Sequence, residues 1–194
     1  MKDKVLKPVG EKLGWQLKDR RSLMKTQWNE IVSDEIVLHR KQRITYTYVI
    51  SPGAVFVVPV TKEGKFVLIR NYRWTIDEVC WEVPAGLRNH SVAKTVEALC
   101  RAEMKEEAGC VGGEMHFVGE FFSANGVCDL RLFVNLALGV DLEESAPEDS
   151  ESILEIKAFT RAELEMMLDK GEVSDGDSVF CLLLAFRYLD KMKA

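Results

Sequence analysis

Three glutamates carry the strongest chemical signal in this chain. Glu103, Glu106 and Glu107 stand at i, i+3 and i+4 in the run Ala102-Glu103-Met104-Lys105-Glu106-Glu107-Ala108-Gly109-Cys110. On a helix such positions share one face, about 5–6 Å apart. Carboxylates that close repel one another unless a cation sits among them. Hard oxygen ligands with no histidine nearby suit magnesium, with manganese as the alternative, and not zinc. The plain alternative is a solvated acidic helix face. Acidic groups at a helix C-terminus oppose its macrodipole, however, a mild cost that hints at another purpose.

The elements that must position these groups can be read from the pattern. Ser91 is expected to cap a helix running to about Ala108, with Gly109 as its left-handed stop. Val92, Val96, Leu99 and Cys100 fall on one stripe at helical spacing. Upstream, the β-branched and aromatic run Ile44–Ile50 predicts a strand, broken by Ser51-Pro52-Gly53. Ala54–Val60 is continuously apolar, as in a strand covered on both faces. It turns through Thr61–Lys65 into Phe66–Ile69, and Trp81-Glu82-Val83 is a short extended piece. Residues 1–30 show weak periodicity, and the pattern becomes strand-like from Glu30. Downstream, strands are expected at Met115–Phe122, Leu130–Leu138 and Ile153–Phe159. Thr160-Arg161-Ala162-Glu163 is a capping-box pattern opening a helix that Gly171 ends. A last helix spans roughly Ser178–Met192, with Asp177 as its cap. Strands, a helix, more strands and then helices suggest an α/β sandwich with a mixed sheet, in the α+β sense, and not a regular βαβ repeat.

Composition narrows the partners. Of 194 residues, 47% are apolar and 29% charged, the balance of a soluble globular protein. The net charge of −5 argues against a nucleic-acid binder, although bound metal ions would still admit a polyanionic substrate. Five scattered cysteines without C-x-x-C spacing fit a reducing cytoplasm and not a zinc site or disulfide framework. The N-terminus lacks a signal-peptide core, and the apolar run Val179–Phe186 is too short to span a bilayer.

The glutamate helix has a wider context. Trp81-Glu82-Val83-Pro84-Ala85-Gly86 precedes it, and Glu103, Met104, Glu106, Glu107, Gly109 and Cys110 follow in order. This resembles the Nudix box: Gly, five residues, Glu, seven residues, then Arg-Glu-apolar-x-Glu-Glu-x-Gly-apolar. Ala102 stands where the box has arginine and Lys94 where it has its first glutamate, and Gly86 lies two residues too far upstream. Arg101 is adjacent to the arginine position, but one helical step turns it about 100° away. Three further stretches resemble the ADP-ribose pyrophosphatase branch of that family: Val67–Arg73, Trp81–Gly86 and Gly171–Asp175. Ser123–Asp129 is similar to that branch's Ser-Pro-Gly loop, with Ala124 in place of proline. Glu148–Glu151 and Glu155 are similar to its acidic catalytic loop.

This resemblance, over roughly residues 45–190, implies an α/β/α sandwich in residues 53–194. It also implies a strand-rich dimerisation region in residues 1–52, and hence a homodimer. The implied reaction is magnesium-dependent attack of water on a nucleoside diphosphate linked to a small group, ADP-ribose or a nucleotide sugar. A nucleoside monophosphate and a sugar phosphate would be released. The resemblance gives Glu103, Glu106, Glu107 and the Ala85 carbonyl as metal ligands, with Glu82 beside them or on the substrate. Glu151 is the candidate general base and Glu148 the runner-up. Arg73 could grip a phosphate, its plain alternative being a surface ion pair, and Trp28 or Trp74 could stack on a base. The departures at Lys94 and Ala102 leave a second reading open, a weakened domain that binds or senses a nucleotide.

Overall fold

A computed structural model describes residues 7–88, 95–146 and 152–193. Two compact units divide the chain at Pro52 and Gly53, with Ala124–Leu130 grouped into the first.

The first unit begins with a one-turn helix, α1 (Pro8–Lys12), and three antiparallel strands in the order β1 (Gln16–Lys25), β2 (Glu30–Val37) and β3 (Arg43–Ile50). Thr26 Oγ accepts from the backbone N–H groups of Trp28 and Asn29, which shapes the β1–β2 turn. A buried ion pair ties the strands together. Arg20 donates to both oxygens of Asp34 at 2.6 Å, and Tyr48 adds its hydroxyl to the same carboxylate. Residues 124–130 join this unit through Val49, which pairs with Cys128.

The second unit opens with β4 (Ala54–Thr61) and β5 (Phe66–Arg73), joined by a tight turn with Gly64 at φ +77°. These strands pair only at Val60 and Phe66, and beyond that point they splay. The gap is filled by β6 (Glu78–Glu82), which pairs with β5, and β7 (Ala85–Leu87), which pairs with β4. Helix α2 (Val96–Ala108) follows, then β8 (Cys110–Phe122), β9 (Arg131–Leu142), β10 (Ile153–Phe159), α3 (Arg161–Asp169) and α4 (Gly176–Met192). The main path of the sheet is β10-β5-β4-β9-β8. Only β4 and β9 run parallel, so the sheet is mixed.

Strand alternation decides which helix covers which face. Val55, Val57, Val67 and Ile69 form one core with Leu99, Cys100, Met104 and Ala108 of α2. Phe66 points the other way and meets the Phe186 ring of α4 edge-on. Every residue of β4 is buried, as its apolar run predicts. Among the described residues, no helix is long and apolar enough to cross a membrane.

Three expectations need correction. Strand β1 was hidden by its composition, since Gln16–Lys25 carries five charged residues and is exposed over most of its length. Helix α2 starts at Val96, later than expected, with Thr95 in extended backbone as its cap through a bond from Ala98 N; Ser91, the expected cap, lies outside the described residues. Helix α4 starts earlier than Ser178, and Asp175 caps it by accepting from Ser178 N at 2.8 Å. Asp177 lies inside its first turn, where a carboxylate still favours the dipole. The capping box at Thr160 and Glu163 is present as expected.

Candidate active site

The splay between β4 and β5 gives the candidate site its frame. The chain leaves β6 after Glu82, passes Val83 and Pro84, and crosses to β4, where Ala85 faces Phe56 and Gly86 faces Val55. The Pro84 carbonyl accepts from Val57 N at 3.0 Å, anchoring the crossing.

The end of α2 abuts this crossing. Gly109, at φ +62°, ends the helix in the left-handed conformation, and its N–H caps carbonyls of the last turn. A Cβ there would press on the Glu143 carbonyl. The following segment laces over the helix end, with Glu143 N donating to the Gly109 carbonyl and Ala146 N to that of Glu106.

The three glutamates meet different surroundings. Glu107 is 3% exposed, and its Oε2 accepts from Ala85 N at 2.8 Å. A buried carboxylate is costly without hydrogen bonds, and this bond also offsets its unfavourable place at the helix end. Glu103 is half-buried with its carboxylate against Gly86, so that a side chain at that position would overlap it. Glu106 is exposed. Among the described residues, no three histidine, cysteine, aspartate or glutamate side chains are gathered closely enough to hold a metal ion. Glu103, Glu107 and the Ala85 backbone nonetheless share one corner, and their oxygens are the hard donors that magnesium takes.

Arg73 and Glu82 form the neighbouring pair. Arg73 Nε and Nη2 donate to the two oxygens of Glu82, which is 3% exposed. The hydrogen bond to Glu82 raises the Arg73 pKa above its ordinary value against the cost of burial, with Glu82, Glu107 and Asp175 adding charge attraction. Arg73 is thus engaged in an ion pair, the plainer of the two roles expected for it. The guanidinium remains half exposed, with N–H groups beyond the two that Glu82 takes. A cavity of about 360 Å³ opens beside the pair, lined among others by Phe56, Arg73, Cys80, Glu82, Ala85 and Ser178.

The remaining candidates lie elsewhere. Trp28 is 51% exposed in the β1–β2 turn of the first unit. Trp74 is also exposed, at the end of β5. Glu148, Glu151 and Lys94 lie outside the described residues. Arg101 does not take the place of the missing box arginine. It pairs with Glu97 and donates to the Gly112 and Gly113 carbonyls. The sequence reading missed Ser178, whose hydroxyl accepts from Val83 N at 3.1 Å. The cap signal Asp175-Gly176-Asp177-Ser178 was the available clue.

Comparison with known proteins bears on this geometry. No family model matches the chain. An ADP-ribose pyrophosphatase of Bacillus subtilis (strain 168) is 28% identical over 144 residues, 74% of this chain and 75% of that protein. A methanol dehydrogenase activator of Bacillus methanolicus is 26% identical over 83% of this chain and 84% of its own length. A solved structure described as an ADP compounds hydrolase superposes with a TM-score of 0.80 at 17% identity, covering 92% of this chain and 95% of that one. The chain is thus similar in sequence to ADP-ribose pyrophosphatases, and its fold is that of the ADP compounds hydrolase. Against the Nudix box that it resembles, it keeps the three glutamates of the helix and lacks the arginine beside them.

Proposed function

We propose that this chain is a Nudix hydrolase that cleaves the diphosphate bond of a nucleoside diphosphate linked to a small polar group, ADP-ribose first among the candidates. The single observation that carries this reading is the corner where Glu107 accepts the Ala85 N–H while Glu103 lies against Gly86. A carboxylate is buried there at a helix end that disfavours it, as expected of a site built to receive a cation.

The oxygens of Glu103, Glu106, Glu107 and the Ala85 carbonyl would hold magnesium or manganese. The metal, when bound, neutralises phosphate oxygens and lowers the pKa of the attacking water. Water oxygen bonds to one phosphorus as the bridging P–O bond breaks, and the water proton passes to a carboxylate, for which Glu151 is the candidate. The products are a nucleoside monophosphate and a sugar phosphate. Arg73 has N–H groups left to orient a phosphate while it holds Glu82. The enzyme acts as a homodimer, for which the strand-rich first unit is the candidate surface.

A second reading, a weakened nucleotide-binding domain, is favoured by one observation: Ala102 occupies the box arginine position and Arg101 is committed elsewhere. A panel of nucleoside diphosphate compounds separates the two. With magnesium and a coupled phosphatase, the lead reading expects phosphate release that stops with chelator and is greatest for ADP-ribose. Saturable binding of ADP-ribose without turnover, with either metal, would favour the second reading.

A further inference from the structure

Helix α4 touches the candidate site although the family motif does not include it. Its first turn meets the β6–β7 crossing where Val83 N donates to Ser178 Oγ. Just before the helix, Ser174 Oγ contacts the thiol of Cys80 in β6 at 3.3 Å. Ser178 is itself fixed, since its N–H is held by the Asp175 cap, and the residue is 0% exposed. Val83, 1% exposed, sits between Glu82 and the Pro84-Ala85 step. Its two neighbours in the chain therefore lead directly to the carboxylate bound by Arg73 and to the backbone bound by Glu107.

We infer that Ser178 is a positioning residue of the reaction proposed above, acting through the Val83 N–H to set the Glu82–Ala85 segment. Three considerations support it. The contact joins positions 95 residues apart, so it is tertiary and not part of a local turn. Pro84 has no N–H, and the N–H groups of Val83 and Ala85 are held by Ser178 and Glu107. The crossing is thereby pinned from α4 on one side and from α2 on the other. Loss of the hydroxyl would leave a buried N–H without an acceptor, a cost the chain escapes only by moving that segment. Displacement of such a support by about 1 Å is enough to cost up to ~100-fold in rate.

The test compares Ser178→Ala and Ser178→Cys with Leu182→Val. Cysteine keeps the size of serine but offers a poor acceptor, and it serves if the alanine variant fails to fold. Leu182 is fully buried on the same helix and makes no contact with the crossing through a polar group, so its truncation reports the cost of loosening α4 alone. Backbone hydrogen exchange across residues 80–86, the thermal midpoint, and kcat and KM for ADP-ribose with magnesium are measured for each. The Ser178 variants are expected to exchange faster across 80–86 than Leu182→Val does. Their kcat should fall about tenfold or more with a smaller change in KM, while Leu182→Val keeps near wild-type kcat at a comparable loss of midpoint. Ser178 variants with wild-type kcat, or a Leu182→Val loss equal to theirs, would overturn the inference. A wild-type protein that turns over no substrate would instead refute the proposed function, and exchange across 80–86 would then decide the clamp by itself.

Discussion

Arg73 and Glu82 face each other with two parallel hydrogen bonds, Nε to Oε1 at 2.8 Å and Nη2 to Oε2 at 2.5 Å. The pair bridges β5 and β6 where the sheet splays. Its two members differ in exposure, because Arg73 is half open to solvent and Glu82 is buried.

That asymmetry predicts unequal mutants. Arg73→Ala strands a buried carboxylate and should lower stability by about 1–3 kcal/mol. Glu82→Gln leaves a neutral amide and a half-exposed guanidinium, so its loss should be smaller. Chemical denaturation of the two variants measures the difference, and an equal loss would contradict the account.

Gly86 is required for space. Its backbone needs no positive φ, but a Cβ would overlap the Glu103 carboxylate. Gly86→Ala should therefore cut hydrolysis by ~100-fold or more by displacing Glu103, an effect of about 3 kcal/mol on the barrier. The thermal midpoint should move little, because Glu103 can swing toward solvent. Wild-type kcat in this variant would remove Glu103 from the working site.

Asp177 gives a pH signature. Burial raises its pKa, a bond from Ser123 lowers it, and Asp175 raises it again, for a net upward shift. An acid with a raised folded pKa binds its proton more tightly folded than unfolded. Its ionisation therefore costs stability as pH rises above the ordinary value of 3.8, and no such cost exists below it. Asp177→Asn should raise the thermal midpoint at pH 7, and the gain should shrink toward pH 4. A gain independent of pH would point to packing instead.

Much of this architecture was legible in the sequence where burial is one-sided or complete. The apolar run of β4, the capping box at Thr160 and the stop at Gly109 all follow from local chemistry. Strand β1 was not legible, because a strand with charged residues on exposed faces has no apolar alternation to read. The glutamates could be placed on one helix, but not their separate fates. Nothing local tells that Glu107 turns inward to Ala85 N while Glu106 faces solvent, because that choice depends on a crossing strand 22 residues away. The partner of Arg73 was hidden too, since the β5–β6 register sets Arg73 opposite Glu78 and Glu82 opposite Ile69, and only the reach of the side chains brings Arg73 to Glu82. Ser178 was missed because its role is to accept a backbone N–H, and sequence patterns do not record backbone groups.

The most direct test of the central claim is the hydrolysis of ADP-ribose with magnesium by Glu107→Gln. The amide oxygen can still accept the Ala85 N–H, so the fold and the position of the side chain are kept while the charge is removed. The account predicts an unchanged thermal midpoint with kcat reduced by about 100-fold or more, the loss expected when one preorganised charged group leaves a reaction centre. Turnover equal to wild type would contradict it and take the box helix out of the chemistry.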